Sequence, residues 1–242
     1  MPDISSLEPY SFTPVAVVRS CFKAKFGIPR QPGLVSEATG EIVFQPPYNQ
    51  PNAVRGLEEF SHIWVLFVFH LSIREQWKAT VRPPRLGGDK RIGVFASRSP
   101  FRPCPIGLSV LKLEEVICHG PKVALKVSGL DIVDGTPVLD VKPYIPYADV
   151  LPDAVGGFAN AAPDASAIQV TFTSEAEAQC LAIEKRGIVG FRELARKLVA
   201  ENPRPAYQEI AGRVYGIFIH GYEVVWQAGD DTTATITAIK KA

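Results

Sequence analysis

Three polar turns within residues 1–150 carry the side chains best suited to chemistry. The stretch at 91–109, RIGVFASRSPFRPCPIGLS, sets Arg98 and Arg102 among Pro100, Pro103 and Pro105. Proline fixes φ and withholds a backbone donor, so Ser99 to Ile106 is read as a stiff loop, neither helix nor central strand. Guanidinium forks held on such a loop lose little entropy on binding, which suits phosphate, carboxylate or a base edge. The turn at 27–34, GIPRQPGL, holds Arg30 and Gln31 between Pro29 and Pro32, with Gly33 allowing close backbone approach. In the third, DIVDGTPVLDVKPY at 131–144, Asp134 and Gly135 suit a tight turn, and Asp140, Lys142 and Tyr144 recur at period two on one side of a strand. A carboxylate facing a cavity from that strand would bind a cation or take a proton. The plainer alternative is an Asp140 to Lys142 pairing, which contributes little on an exposed strand. His70 closes the apolar run HIWVLFVFH and is expected at the mouth of a barrel strand, as a structural group or as part of a site.

Charge points to the partner. The formal net charge of +1 conceals a segregation: between Lys78 and Arg102, seven basic residues stand against Asp89 alone, a local balance of +6. Arg19, Lys23, Lys25 and Arg30 add to it without an acid between them, whereas from Val150 onward eleven acidic residues outnumber nine basic ones. The positive field belongs to the first part of the chain, and a polyanion is its natural partner. Cys21, Cys104, Cys118 and Cys180 form no CxxC pair and the four histidines no ligand pattern, so neither a zinc site nor a disulfide framework is indicated. The four cysteines are expected as small buried hydrophobes. The longest apolar run, Ile63 to Leu71, is too short to span a bilayer, no secretory signal pattern opens the chain, and a cytoplasmic location is expected.

The elements that must position these turns are mostly strands. Runs at Val15–Arg19, Ile42–Phe44, His62–Leu71, Arg91–Ser97, Gly107–Ile117, Lys122–Leu130 and Pro137–Val141 alternate with Pro, Gly, Asn and Asp clusters, with one helical turn in Val54–Phe60. They predict an antiparallel barrel or sandwich over 1–150. No GxGxxG opens a helix after the first strand, which argues against a Rossmann-type nucleotide site. Residues 151–165 read as a linker or arm, and 166–242 as a small α+β unit. In that unit a strand at Ile168–Phe172 precedes a helix capped by Thr173 or Ser174. A second helix spans Phe191 to Glu201, and three strands follow at Tyr215–Ile219, Tyr222–Gln227 and Thr232–Ile239.

The same segments, in this order, resemble the TsaA-like family: IPRQPGLV at 28–35, PYNQPNAVRGLEEF at 47–60, FSHIWVLFVFH at 60–70, TVRPPRLGG at 80–88, GVFASRSPFRPCPIGLS at 93–109 and DIVDGTPVLDVKPYIPYAD at 131–149. EKR at 184–186 and NPRPAY at 202–207 are similar to its bacterial members. The departures are Cys104, where members usually carry Asn, and Leu71, where they usually carry a polar residue.

The resemblance implies a mainly β fold, a single-sheet antiparallel barrel distinct from Rossmann methyltransferases, working as a homodimer with its site near the subunit boundary. It implies methyl transfer from S-adenosyl-L-methionine to N6 of threonylcarbamoyladenosine beside the anticodon of threonine tRNAs, with no metal and no membrane partner. By position the family's cofactor pocket falls on Arg30, Gln31, Pro32, His70, Leu71, Arg98, Leu108, Val138, Leu139, Asp140 and Val141. Asp140 is then expected to orient or accept the proton lost from the attacked nitrogen, with Tyr144 and Lys142 next in line. The tRNA anticodon loop is expected across Lys25, Arg82, Arg85, Lys90, Arg91 and Arg102, with the target base leaving its stack onto Phe101 or Tyr144. Two rivals remain at this stage: a noncatalytic RNA-binding barrel, and a methyltransferase with another acceptor.

Overall fold

The computed structural model describes residues 8–162, 168–204, 212–230 and 232–242. In chain order the first part contains β1 (Ala16–Ser20), β2 (Thr39–Phe44), β3 (His62–Val68), the short β4 (Thr80–Val81) and β5 (Ile92–Gly93), β6 (Ile106–His119), β7 (Lys122–Ser128), β8 (Pro137–Pro143) and the four-residue α1 (Pro146–Asp149). Six of these close an antiparallel barrel in the order β1-β2-β7-β6-β3-β8, sealed where Ala16 of β1 pairs with Val138 of β8.

Alternation along the strands explains the closure. In β3, Ile63, Val65 and Phe67 point into the barrel while His62, Trp64, Leu66 and Val68 lie on its outer side. In β6, Gly107, Ser109, Leu111 and Leu113 are the inward set. Each buried aliphatic or aromatic side chain of this interior contributes about 1.5–3 kcal/mol of transfer free energy.

Pairing of β3 with β8 slips once. Phe67 faces Val138, but Leu66 faces Asp140, which leaves Leu139 as the extra residue of a bulge. Val138 is therefore interior and Asp140 exterior, although they are two residues apart.

The second part holds β9 (Gln169–Phe172), α2 (Ser174–Lys185), α3 (Phe191–Ala200), β10 (Val214–Ile219), β11 (Tyr222–Ala228) and β12 (Thr233–Lys241), with a sheet order of β10-β11-β12-β9. The Thr173 side chain caps α2 by accepting from the Ala176 amide at 3.2 Å. One hydrophobic cluster runs from the barrel interior to α3 and β11. At the seam Phe22 bridges Ile219, the His220 amide donates to the Cys21 carbonyl at 2.9 Å, and Lys197 pairs with Glu37 at 2.7 Å. Gly27 lies so near β10 that a Cβ there would stand 2.5 Å from Ile217 Cγ2.

Several expectations are corrected. The strand foreseen at Arg91–Ser97 shrinks to Ile92–Gly93, followed by a 3-10 turn at Val94–Ala96, because Val94 turns into the core while Phe95 stays exposed. The strand foreseen to Leu71 stops at Val68, where the Phe69 amide donates to the Pro105 carbonyl and His70–Ser72 winds into a 3-10 turn. Cys21 and Cys180 are buried, but Cys104 and Cys118 are exposed. Residues 163–165 of the foreseen linker, the first two of the unit foreseen at 166–242, and residues 205–207 of NPRPAY lie outside the described residues.

Candidate active site at the mouth of the barrel

A cavity of about 680 Å³ opens where β3 and β6 leave the barrel, a volume within the usual range for small-molecule sites. Its walls come from four chain segments, within 25–31, 67–72, 95–109 and 131–136. The proline-rich loop folds over it because serine hydroxyls act as acceptors where prolines supply no donors: Ser97 Oγ accepts from the Ser99 amide at 3.3 Å and Ser99 Oγ from the Phe101 amide at 3.3 Å. Arg102 donates back to the Ser97 carbonyl at 3.1 Å, whereas Arg98 reaches across the cavity to Gln31 Oε1 at 2.7 Å. Lys25 donates to the Leu71 carbonyl at 3.0 Å, tying the first turn to the end of β3.

At the base sits Asp131, the residue following fully buried Leu130. Its Oδ1 accepts from Ser109 Oγ at 2.7 Å. Burial raises its pKa from 3.8 to about 6 despite that hydrogen bond and the nearby Arg98 charge. Next to Ser109 on the same inward face of β6, Gly107 lies where a Cβ would stand 2.3 Å from the Phe67 ring, so only glycine lets that ring line the wall. His70 Nδ1 is buried at the cavity edge with no partner. A carboxylate at the base, apolar walls from Phe67, Phe69 and Leu108, and an unmet imidazole nitrogen suit a cationic ligand with one polar heterocycle.

Of the expected cofactor residues, Arg30, Gln31, His70, Leu71, Arg98 and Leu108 line this cavity together, and Pro32 adjoins it in sequence. Val138 is buried inside the barrel, and Leu139, Asp140 and Val141 line none of it. Asp140, Lys142 and Tyr144 do share one side, opposite Leu66, Trp64 and His62, but that is the outer face. There Asp140 is held by Lys142 at 2.8 Å, and the Tyr144 ring lies 5.9 Å from that of Trp64. Within one chain they do not reach the cavity.

Among the expected RNA contacts, Lys25 and Arg102 line this cavity and Arg82 lines its neighbour. Arg85 is tied to the Ala161 carbonyl, Arg91 donates to Thr80 Oγ1 at 3.3 Å, and Lys90 is exposed nearby. Phe101 is covered by Arg74, 3.9 Å from its centroid. Asp131 and Ser109 were missed by sequence reasoning, although Ser109 is a polar residue at an inward position of an apolar strand, which calls for a buried partner. Among the described residues no group of three or more His, Cys, Asp or Glu side chains could hold a metal ion, and no helix is long and apolar enough to cross a membrane.

A closed six-stranded barrel with this pocket, carrying an α+β unit at its side, defines a mainly β class without the doubly wound sheet of a Rossmann fold. The family described as tRNA-methyltransferase O N-terminal domain matches residues 17–150, and the TrmO C-terminal domain matches 165–242. The tRNA (adenine(37)-N6)-methyltransferase of Escherichia coli K12 is 51% identical over 226 residues, which cover 91% of this chain and 94% of that protein. A putative S-adenosylmethionine-dependent methyltransferase, RcsF, of Pseudomonas aeruginosa is 43% identical over 90% of this chain and 92% of that protein. The crystal structure of TrmO from Pseudomonas aeruginosa superposes with a TM-score of 0.82 at 36% identity, covering 98% of this chain and 99% of that one. The chain belongs to the tRNA-methyltransferase O (TrmO) family, and it is a tRNA methyltransferase.

Proposed function

We propose that the protein transfers the methyl group of S-adenosyl-L-methionine to N6 of threonylcarbamoyladenosine at position 37 of threonine tRNA, acting in the cytoplasm as a homodimer. The observation that carries this reading is a part-buried carboxylate at the base of a largely apolar cavity in a chain that matches its family along nearly its whole length.

When bound, S-adenosylmethionine supplies a methyl carbon on a positively charged sulfur. Arg98, fixed by Gln31, and His70, with its free Nδ1, would hold the polar parts of that molecule, and Phe69 and Leu108 would supply apolar wall for its adenine. The attacked nitrogen is delocalised into ring and carbamoyl, so its proton must leave as the bond forms. Asp131, with a pKa of about 6, is ionised at neutral pH and takes that role in place of Asp140. Holding the two reactants in line supplies much of the rate. The partner copy covers the outer side of β3 and β6, where Ile106 and Leu108 stand 42% and 49% exposed, with β3 between them and Asp140 and Lys142 of β8.

Mass spectrometry of nucleosides from threonine tRNA incubated with the enzyme and S-adenosylmethionine tests the proposal. Threonylcarbamoyladenosine carrying one methyl group in place of one hydrogen is the expected product. Methylation of unmodified adenosine, or of no nucleoside, sinks it.

A further inference from the structure

A second cavity of about 700 Å³ lies beside the first, at the junction of the barrel and the C-terminal unit. Lys25, Ile28 and Arg30 line both, so the two share one wall. Its far side is formed by Arg82, Glu201 and Arg204, which the reaction described above does not use.

The chain just beyond α3 is arranged in an unusual way for so buried a place. Asn202 adopts a left-handed φ of 50°, accepts from Arg204 Nε on its side chain at 2.6 Å and from Arg30 Nη2 on its carbonyl at 3.1 Å. Arg204 is only 5% exposed, yet its Nη1 has no partner, and neither has the buried Oε2 of Glu201. No ion pair joins Glu201 to Arg30 or Arg204 among the described residues. Burial raises the Glu201 pKa, and the Arg30 charge opposes that rise. An unmet donor and an unmet acceptor in one cavity ask for a ligand offering both an anion and a donor. A phosphodiester offers acceptors alone and would be repelled by Glu201. A carboxylate flanked by a hydroxyl or N–H satisfies both.

We propose that this second cavity receives the threonyl group of the modified adenosine, its carboxylate on Arg204 and its hydroxyl on Glu201. The inference rests on the proposed substrate, and it makes the C-terminal unit a specificity element of the barrel's site. The charges of Lys25 and Arg30 at the shared wall draw the carboxylate in, and Arg204 supplies the planar fork that fixes it.

The test uses the full-length enzyme and two synthetic anticodon stem-loops, one with threonylcarbamoyladenosine and one in which the threonyl carboxylate is replaced by a carboxamide. Wild type is expected to prefer the carboxylate RNA by about 30-fold in kcat/KM, the effect of leaving a buried charged donor unpaired. Arg204→Gln should abolish that preference by losing activity on the carboxylate RNA only, and Arg204→Lys should restore part of it. Equal activity of wild type on both RNAs, or a preference untouched by Arg204→Gln, overturns the subsite. If Arg204→Gln does not fold, Glu201→Gln serves with an RNA lacking the threonyl hydroxyl: its selectivity for the hydroxyl should vanish, and retention overturns the proposal. Competition by inorganic phosphate that Arg204→Lys preserves, with no carboxamide discrimination, would assign the cavity to the RNA backbone instead. Failure of wild type to methylate the carboxylate RNA at all defeats the substrate reading itself, which separates the two.

Discussion

Asp131 and Asp140 stand nine positions apart in one segment and have opposite surroundings. Asp131 enters the cavity at the barrel mouth, is held by a neutral hydroxyl, and has its pKa pushed up to about 6 by burial. Asp140 lies on the outer face, half exposed, against the ammonium of Lys142 at 2.8 Å. Solvent and a counter-charge screen the second, whereas burial gives the first a proton affinity close to the pH at which it must work. Position in a motif therefore says less about reactivity than which side of the sheet a residue reaches.

The largest expected effect separates the two directly. Asp131→Asn should lower single-turnover methyl transfer by about a thousandfold, the scale of general base catalysis, while Asp140→Asn stays within about threefold. The wild-type rate should rise through about pH 6 and level off, as Asp131 ionises. A flat profile, or equal losses in the two variants, would break the contrast and bring the outer face into the reacting site.

Next in size is the wall formed by Phe67 over Gly107. Gly107→Ala puts a methyl group 2.3 Å from the Phe67 ring, and the ring must turn into the cavity. A loss of about 1–3 kcal/mol by urea melting and roughly tenfold weaker S-adenosylmethionine binding by calorimetry are expected. Unchanged binding would mean that the ligand does not use this wall.

Stability should move the other way at Asp131. Its folded pKa of about 6 exceeds the ordinary 3.8, so the associated stability is full below about pH 4 and is lost as pH rises through about 6. The shift converts to about 3 kcal/mol at most, and the side open to the cavity reduces that to about 2. Asp131→Asn should thus melt later than wild type at pH 8 and alike at pH 4. Parallel pH dependence in the two proteins would show that burial imposes no such cost.

Much of this was legible before any coordinates. The proline-stiffened loop and the strands that close the barrel follow from donor-free positions and strand-like runs between turn residues, both local properties. Asp140 was misread toward a cavity for a local reason that only pairing reveals. Alternation from buried Val138 would place it inward, and the Leu139 bulge turns it out. Arg204 and Glu201 were missed for the opposite reason. Arg204 stands in the family-like NPRPAY, but no role follows from that segment alone, because the environment of both residues is created by barrel residues about 170 positions away, such as Arg30 against Asn202.

The smallest effect tests what the outer face is for. The Asp140 to Lys142 pair is exposed on both sides, so the two charges are screened and Lys142→Ala should leave the urea midpoint of a dilute sample unchanged. The same substitution lies beside the apolar outer side of β3 and β6, where a second copy is proposed to sit. Sedimentation should then find the dimer's dissociation constant shifted by severalfold, because a pair that is nearly neutral in water changes value once a neighbour excludes that water. If dissociation does not move while Leu108→Asp dissociates the dimer, the partner covers Leu108 and stops short of β8, leaving Asp140 and Lys142 in solvent. If neither substitution moves it, the outer face is not the interface and the barrel-mouth cavity must be complete in one chain.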